Sequence, residues 1–131
     1  MNLLIDSHTL LWFTEGDSSL SDKALDLLNN PENSVFVSMV TFYEFALKVN
    51  IGKLKLGKTI KEFYKQTIKA KIEVLPINSI YLSTLSNLPQ FPNHKDPFDR
   101  LIIATAITDK LTIVSIDSKF ELYKELVTII W

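Results

Sequence analysis

The chain has 131 residues, a formal net charge of −1 at pH 7, 47% hydrophobic and 22% charged residues. That is the length of a single domain, residues 1–131, with a globular composition that excludes intrinsic disorder. With no cysteine, a disulfide scaffold, a thiolate zinc site and a thiol nucleophile are excluded. No apolar run approaches the roughly 18 residues of a membrane helix, and Asp6 comes too early for a signal peptide, so a cytoplasmic protein with no membrane partner is expected.

Strand-like and helix-like segments alternate along the chain. Residues 3–5 form a short apolar run ending at Asp6. Ser21 then offers a helix start before residues 23–28, and residues 35–37 form a second apolar run ending at Ser38. Thr41 and Glu44 have capping-box spacing, as do Thr59 and Glu62. Residues 72–75 stop at Pro76, and Asn78 precedes a helical segment reaching to about Asn87. The loop 88–95 carries prolines that forbid a continuous helix. Asp96-Pro97 then sets a capping acid before a proline at the first helical position. Residues 111–116 run into Asp117, and residues 127–130 form the last β-branched stretch. Five strands separated by helices imply right-handed crossovers, hence an α/β/α sandwich with a mainly parallel, about five-stranded sheet.

Charge is unevenly distributed. Residues 1–47 hold one lysine against seven acids, whereas residues 48–71 hold eight lysines against Glu62 alone. A basic segment of this kind is either a solvated helix face or a surface that attracts polyanions.

In a parallel sheet, strand carboxyl ends and helix amino ends share one edge, and ligands bind in the crevice beyond it. Asp6 closes the first strand and Asp117 the fourth, while Glu44 and Asp99 are placed in the first turns of two helices. Each acid also has a structural explanation as a cap, a loop residue or a partner of the helix dipole. Together they are harder to dismiss, because two carboxylates about 4 Å apart repel by roughly 4 kcal/mol at an effective dielectric near 20. A domain stable by only about 5–15 kcal/mol needs protons or a cation to bring four such groups together. Hard oxygen donors favour Mg2+ or Mn2+ over zinc, and an ion so held suits phosphodiester hydrolysis.

These blocks resemble the PIN domain family, specifically the VapC-like ribonuclease toxins of type II toxin–antitoxin pairs. The likeness runs through Leu4-Ile5-Asp6-Ser7-His8-Thr9-Leu10-Leu11-Trp12, then residues 38–48 and Gly52-Lys53-Leu54. Its most specific part is His94-Lys95-Asp96-Pro97-Phe98-Asp99-Arg100, and it closes on Ile113-Val114-Ser115-Ile116-Asp117-Ser118-Lys119-Phe120. Ser7 and Ser115 stand where threonine is commoner in the family, and each keeps a hydroxyl. The resemblance implies a catalytic site of Asp6, Glu44, Asp99 and Asp117 around Mg2+ or Mn2+. Asp6 and Asp99 would be the firmest ligands, Asp117 would ligate directly or through water, and Glu44 would hold water or a second ion. Asp96 also matches the motif and is suited to cap its helix. The implied activity is endoribonucleolytic, on an RNA such as tRNA or rRNA. The implied partners are a cognate antitoxin and a second copy in a homodimer.

The remaining chemistry-bearing residues have plainer roles. His8 and His94 are expected in loop or core positions, and Trp12, Phe42, Tyr43, Phe45 and Trp131 in packing. Ser7, Ser38 and Ser115 fit caps and supporting hydrogen bonds better than nucleophiles. Arg100 and Lys48 are placed to contact phosphate or to neutralise a neighbouring carboxylate. A phosphatase or phospho-acceptor site would want an Asp-x-Asp pair, which Asp6-Ser7-His8 lacks. A PIN-like module that binds RNA or protein without cutting is the other class left standing.

Overall fold

Five short parallel strands form one sheet in a computed structural model that describes residues 1–131. The order of elements is β1 (Asn2–Ile5), α1 (Ser7–Glu15), α2 (Asp22–Asn29), β2 (Ser34–Ser38), α3 (Met39–Asn50), α4 (Ile60–Lys69), β3 (Ile72–Leu75), α5 (Ser79–Ser86), α6 (Pro97–Asp109), β4 (Thr112–Val114), a 3-10 helix (Ser118–Tyr123) and β5 (Ile129–Ile130). Across the sheet the order is β3-β2-β1-β4-β5, and every adjacent pair is parallel. The expected parallel sheet with helices on both faces is therefore what the chain forms. No helix is long and apolar enough to cross a membrane.

The period-two alternation of side chains divides β1 between two cores. Leu3 and Ile5 join Val35, Val37, Ile72 and Val114 on one face, covered by Leu10, Ala24, Leu28, Phe42, Phe45 and Phe63. Leu4 and Ile113 face the other way, under Ile102, Ile103, Ala106, Phe120 and Tyr123. Both faces of β1 are dry, which is why a continuous apolar run precedes Asp6 rather than an alternating one.

Most helix starts lie where the sequence places them. Ser21 caps α2, Thr59 caps α4, Asn78 caps α5 and Asp96 caps α6, each accepting a backbone N–H of the first turn. Two starts differ. The helix α1 follows β1 with only Asp6 between them, so its signal is a single acid that also ends a strand. The Thr41…Glu44 capping box does not form: Ser38 caps α3 by accepting from Val40 N. Glu44 consequently sits in the second turn of α3, not the first. Strands β4 and β5 are shorter than the apolar runs that announce them, because Leu111 and Val127 turn into the core outside the ladder.

Helix α6 ends on Lys110 at φ 56°, a left-handed conformation that glycine adopts without strain. Lys110→Gly is expected to stabilise the fold by about 0.5–1 kcal/mol, measured by urea denaturation. A loss of stability would show that the Lys110 side chain contributes more than its backbone strain costs.

Candidate active site

The strand order reverses between β1 and β4, so these neighbours are followed by helices that leave on opposite faces. The crevice at such a switch point is where an open α/β sheet binds ligands. Asp6 lies at the end of β1, and Ser115 and Asp117 lie just beyond β4. Helix α3 starts at the end of β2 and brings Glu44 to the same edge, while the first turn of α6 brings Asp99. All four carboxylates line one pocket of about 180 Å3, together with Asp96, Ser7, His8, Lys48 and Lys119. Its lining contains no hydrophobic side chain.

Four of these five acids are tied to protein donors. Asp6, only 3% exposed, accepts Thr9 N at 2.9 Å on Oδ1 and Ser115 Oγ–H at 2.6 Å on Oδ2. Ser115 Oγ in turn accepts Asp117 N at 3.0 Å, and Asp117 Oδ1 accepts Lys119 N at 2.9 Å. Glu44 accepts Ser7 Oγ–H at 2.9 Å, and its other oxygen meets Lys48 Nζ at 2.6 Å. Asp96 Oδ1 accepts the N–H groups of Phe98 and Asp99. Asp99 accepts no hydrogen bond; the closest basic group is His94 Nε2, 3.5 Å from Oδ2.

The electrostatics follow from this crowding. Burial pushes the Asp6 carboxyl above its ordinary value, opposed by the bonds from Ser115 and Thr9. Asp99 is pushed up to about 7, first by burial and then by the charges of Asp96, Asp6, Glu44 and Asp117. Five carboxylates against two lysines leave the pocket an excess of negative charge that the protein alone does not neutralise.

The donor set suits a hard divalent cation: carboxylate and hydroxyl oxygens, with no thiolate. In the present rotamers no three of these groups converge on one coordination centre. The hydrogen bonds explain why, since each acid but Asp99 is turned toward a donor of its own. A carboxylate oxygen has a second lone pair, so Asp6, Asp117 and Glu44 can turn toward an ion without surrendering every bond.

Other residues fall where their chemistry sends them. Trp12 packs edge-on against Trp131, and Phe42, Phe45 and Phe63 form one aromatic cluster. Lys48 neutralises Glu44. Arg100 turns away from the pocket and donates to Pro89 O at 3.1 Å and to Tyr123 Oη at 2.9 Å. Lys119, not singled out in the sequence, lines the pocket; its signal is its position two residues after Asp117. Lys48 and Lys53 also line a neighbouring groove of about 400 Å3 with His8, Leu11, Phe45 and Leu54.

The family model for the PIN domain matches residues 3–126. No curated protein matches the sequence significantly. Among solved structures, the chain is similar to VapBC2 from Rickettsia felis bound to a promoter DNA fragment, with a TM-score of 0.68 and 18% identity over 98% of this chain and 97% of that one. It is similar to VapBC-1 from nontypeable Haemophilus influenzae, with a TM-score of 0.67 and 13% identity over 99% and 97% of the two chains. A toxin–antitoxin complex from Klebsiella pneumoniae follows, with a TM-score of 0.63 and 18% identity over 98% and 96%. At these identities the shared feature is the fold.

The raised Asp99 carboxyl has a sign that can be checked. Its proton is held more tightly folded than unfolded between the ordinary value of 3.8 and about 7, so the metal-free fold loses stability as pH climbs through that window. With 21% of the side chain exposed, the loss is on the order of 1–2 kcal/mol. In chelator, Asp99→Asn is expected to match the wild type in melting temperature near pH 4 and to exceed it by pH 8. A difference that stays constant with pH would refute the charge assignment.

Proposed function

This chain belongs to the PIN domain family, and on that footing we propose that it is a metal-dependent endoribonuclease, the toxin of a type II toxin–antitoxin pair. The observation that carries the proposal is the single pocket into which Asp6, Glu44, Asp99 and Asp117 fall from four separate stretches of sequence. Crowding of this kind is costly unless an ion offsets it.

Asp6, Asp99 and Asp117 are the residues that would hold Mg2+ or Mn2+, with Glu44 facing them from α3. Bound there, the ion would acidify a water and neutralise nonbridging phosphate oxygens. Glu44 is the carboxylate suited to orient the attacking water and take its proton, because Lys48 and Ser7 hold it in place. Ser115 holds Asp6. Lys48, Lys53 and Lys119 offer cations at the rim for a phosphodiester backbone, with the further lysines of residues 53–71 exposed beyond them. The RNA would be a structured or translation-related one, such as tRNA or rRNA, cut to leave a 5′-phosphate and a 3′-hydroxyl.

The proposed partners are an antitoxin and a second copy of the chain. The similar structures from Rickettsia felis and Haemophilus influenzae are VapBC proteins, and that from Klebsiella pneumoniae is a toxin–antitoxin complex. An antitoxin tail bringing a basic residue to the carboxylates would fit the half-apolar groove beside them. Met39, Tyr43 and Leu47 recur every fourth residue on α3 and remain exposed, an apolar stripe suited to a homodimer contact.

The test is cleavage of total RNA by the wild type and by Asp99→Asn, each with Mg2+, Mn2+ or excess chelator. The wild type is expected to give discrete products only with metal, and the variant to lose at least about a hundredfold in rate. Equal cleavage by both would place the activity elsewhere. No cleavage by a folded protein that still binds RNA would favour a binding module, a reading consistent with acids that do not converge as they stand.

A further inference from the structure

One buried side-chain nitrogen in the molecule lacks a hydrogen-bond partner: Nε2 of His94. The ring is 1% exposed and packs against Tyr123 and Phe120, so no solvent compensates for the missing bond. Buried polar atoms are nearly always paired, and an exception calls for a physical reason.

The other end of the ring sits in a buried chain of donors whose direction can be worked out. Arg100 is 7% exposed and its guanidinium can only donate, so its Nη1 donates to Tyr123 Oη at 2.9 Å. The phenol then has its own proton to give. Its other hydrogen-bond neighbour is His94 Nδ1, at 2.8 Å, which must accept that proton if the buried phenol is not to leave it unpaired. A ring that accepts on Nδ1 and is neutral carries its proton on Nε2. The Nε2–H so fixed faces Asp99 Oδ2 across 3.5 Å, too long for a formed bond. Asp99 is itself the one pocket acid with no protein donor, the others being held by Thr9, Ser115, Ser7, Lys48, Phe98 or Lys119. An idle donor and an idle acceptor thus face each other at the pocket wall.

We infer that His94 is a positioning residue for Asp99: its Nε2–H closes on Oδ2 and leaves Oδ1 to face the pocket. The inference rests on the proposed metal-binding role of the pocket and names what aims its least constrained carboxylate. Hydrogen bonds to ligating carboxylates fix their orientation in metal sites generally, and removing them weakens the metal by about 10–100-fold. Contacts of this kind are often long in a resting site and tighten when the site is filled. Packing alone explains why the ring is buried. It does not explain why the unpaired nitrogen is the one turned toward a carboxylate.

The first test is the tautomer in the wild-type protein, from long-range 1H–15N spectra of histidine-labelled material at pH 7.5. The inference requires a neutral His94 protonated on Nε2 and bare on Nδ1; the opposite tautomer overturns it. The second is Mn2+ affinity by calorimetry for wild type, His94→Asn and His94→Gln. Asparagine reaches the Tyr123 side of the ring site and offers no donor at the Nε2 position, whereas the longer glutamine does. His94→Asn should bind Mn2+ about 10–100-fold more weakly and His94→Gln within about threefold of wild type. Equal affinities in the two folded variants would overturn the role, since a packing residue would not separate them. A wild type that binds no Mn2+ would instead overturn the metal reading of the pocket, and the orienting role with it.

Discussion

Asp6 ends the central strand of the sheet with almost no water to solvate its charge, and the arrangement around it follows from that. Its two oxygens are met from two directions, by the first turn of α1 and by the hydroxyl that follows β4. The carboxylate is therefore a joint between β1, α1 and β4 as well as a member of the acidic pocket. Burial raises its affinity for a proton and the two bonds lower it, so donors contributed by distant segments offset the cost of leaving it ionised. Replacing such a group is not a local change. Losing it would free a helix cap and a strand end at once.

The rest of the pocket divides between acids that are held and one that is not. Ser7 and Lys48 hold Glu44, and backbone amides hold Asp96 and Asp117. Asp99 instead receives the summed repulsion of its neighbours. Behind it lies a second oddity, a buried Arg100 whose partners are a carbonyl and a phenol and not a carboxylate. A cation withdrawn from the pocket can still make the potential there less negative without occupying a position that an ion or a phosphate would need. The surface cations Lys48 and Lys119 differ in kind, being mobile and at the rim.

Much of the fold was legible because it rests on local chemistry. Ser21, Thr59, Asn78 and Asp96 announce helices that form as written, and β-branched runs announce the strands. Helix α1 was hidden because one residue serves two elements: Asp6 ends a strand and caps a helix, with no turn residues between. Glu44 was misplaced for a different reason. Thr41 and Glu44 have the spacing of a capping box, but Ser38 lies one turn earlier and caps first, and propensity cannot choose between two competent caps. The four acids could be grouped from topology, since a parallel sheet gathers strand ends and helix starts on one edge. How far apart they would stand could not be read, because it depends on which hydroxyl or amide each one finds. The Arg100–Tyr123–His94 chain joins α6, the 3-10 helix and the loop before α6, and no spacing in the sequence encodes it.

The sheet order carries a consequence for the order in which this pocket comes into being. Strand β1 lies at the centre, yet one of its two neighbours, β4, is supplied from the far end of the chain. The bond between Asp6 and Ser115 closes across 109 residues. Contacts of such long range form late, since their loop entropy must be met before they contribute anything. A chain emerging from a ribosome would pair β1 with β2, and β2 with β3, while the segment bearing Ser115 and Asp117 was still unmade. Until that segment docks, Asp6 lacks one of its two donors and the pocket lacks a wall. Vectorial synthesis therefore delays the assembled carboxylate pocket until nearly the whole sheet exists, leaving incomplete chains without it.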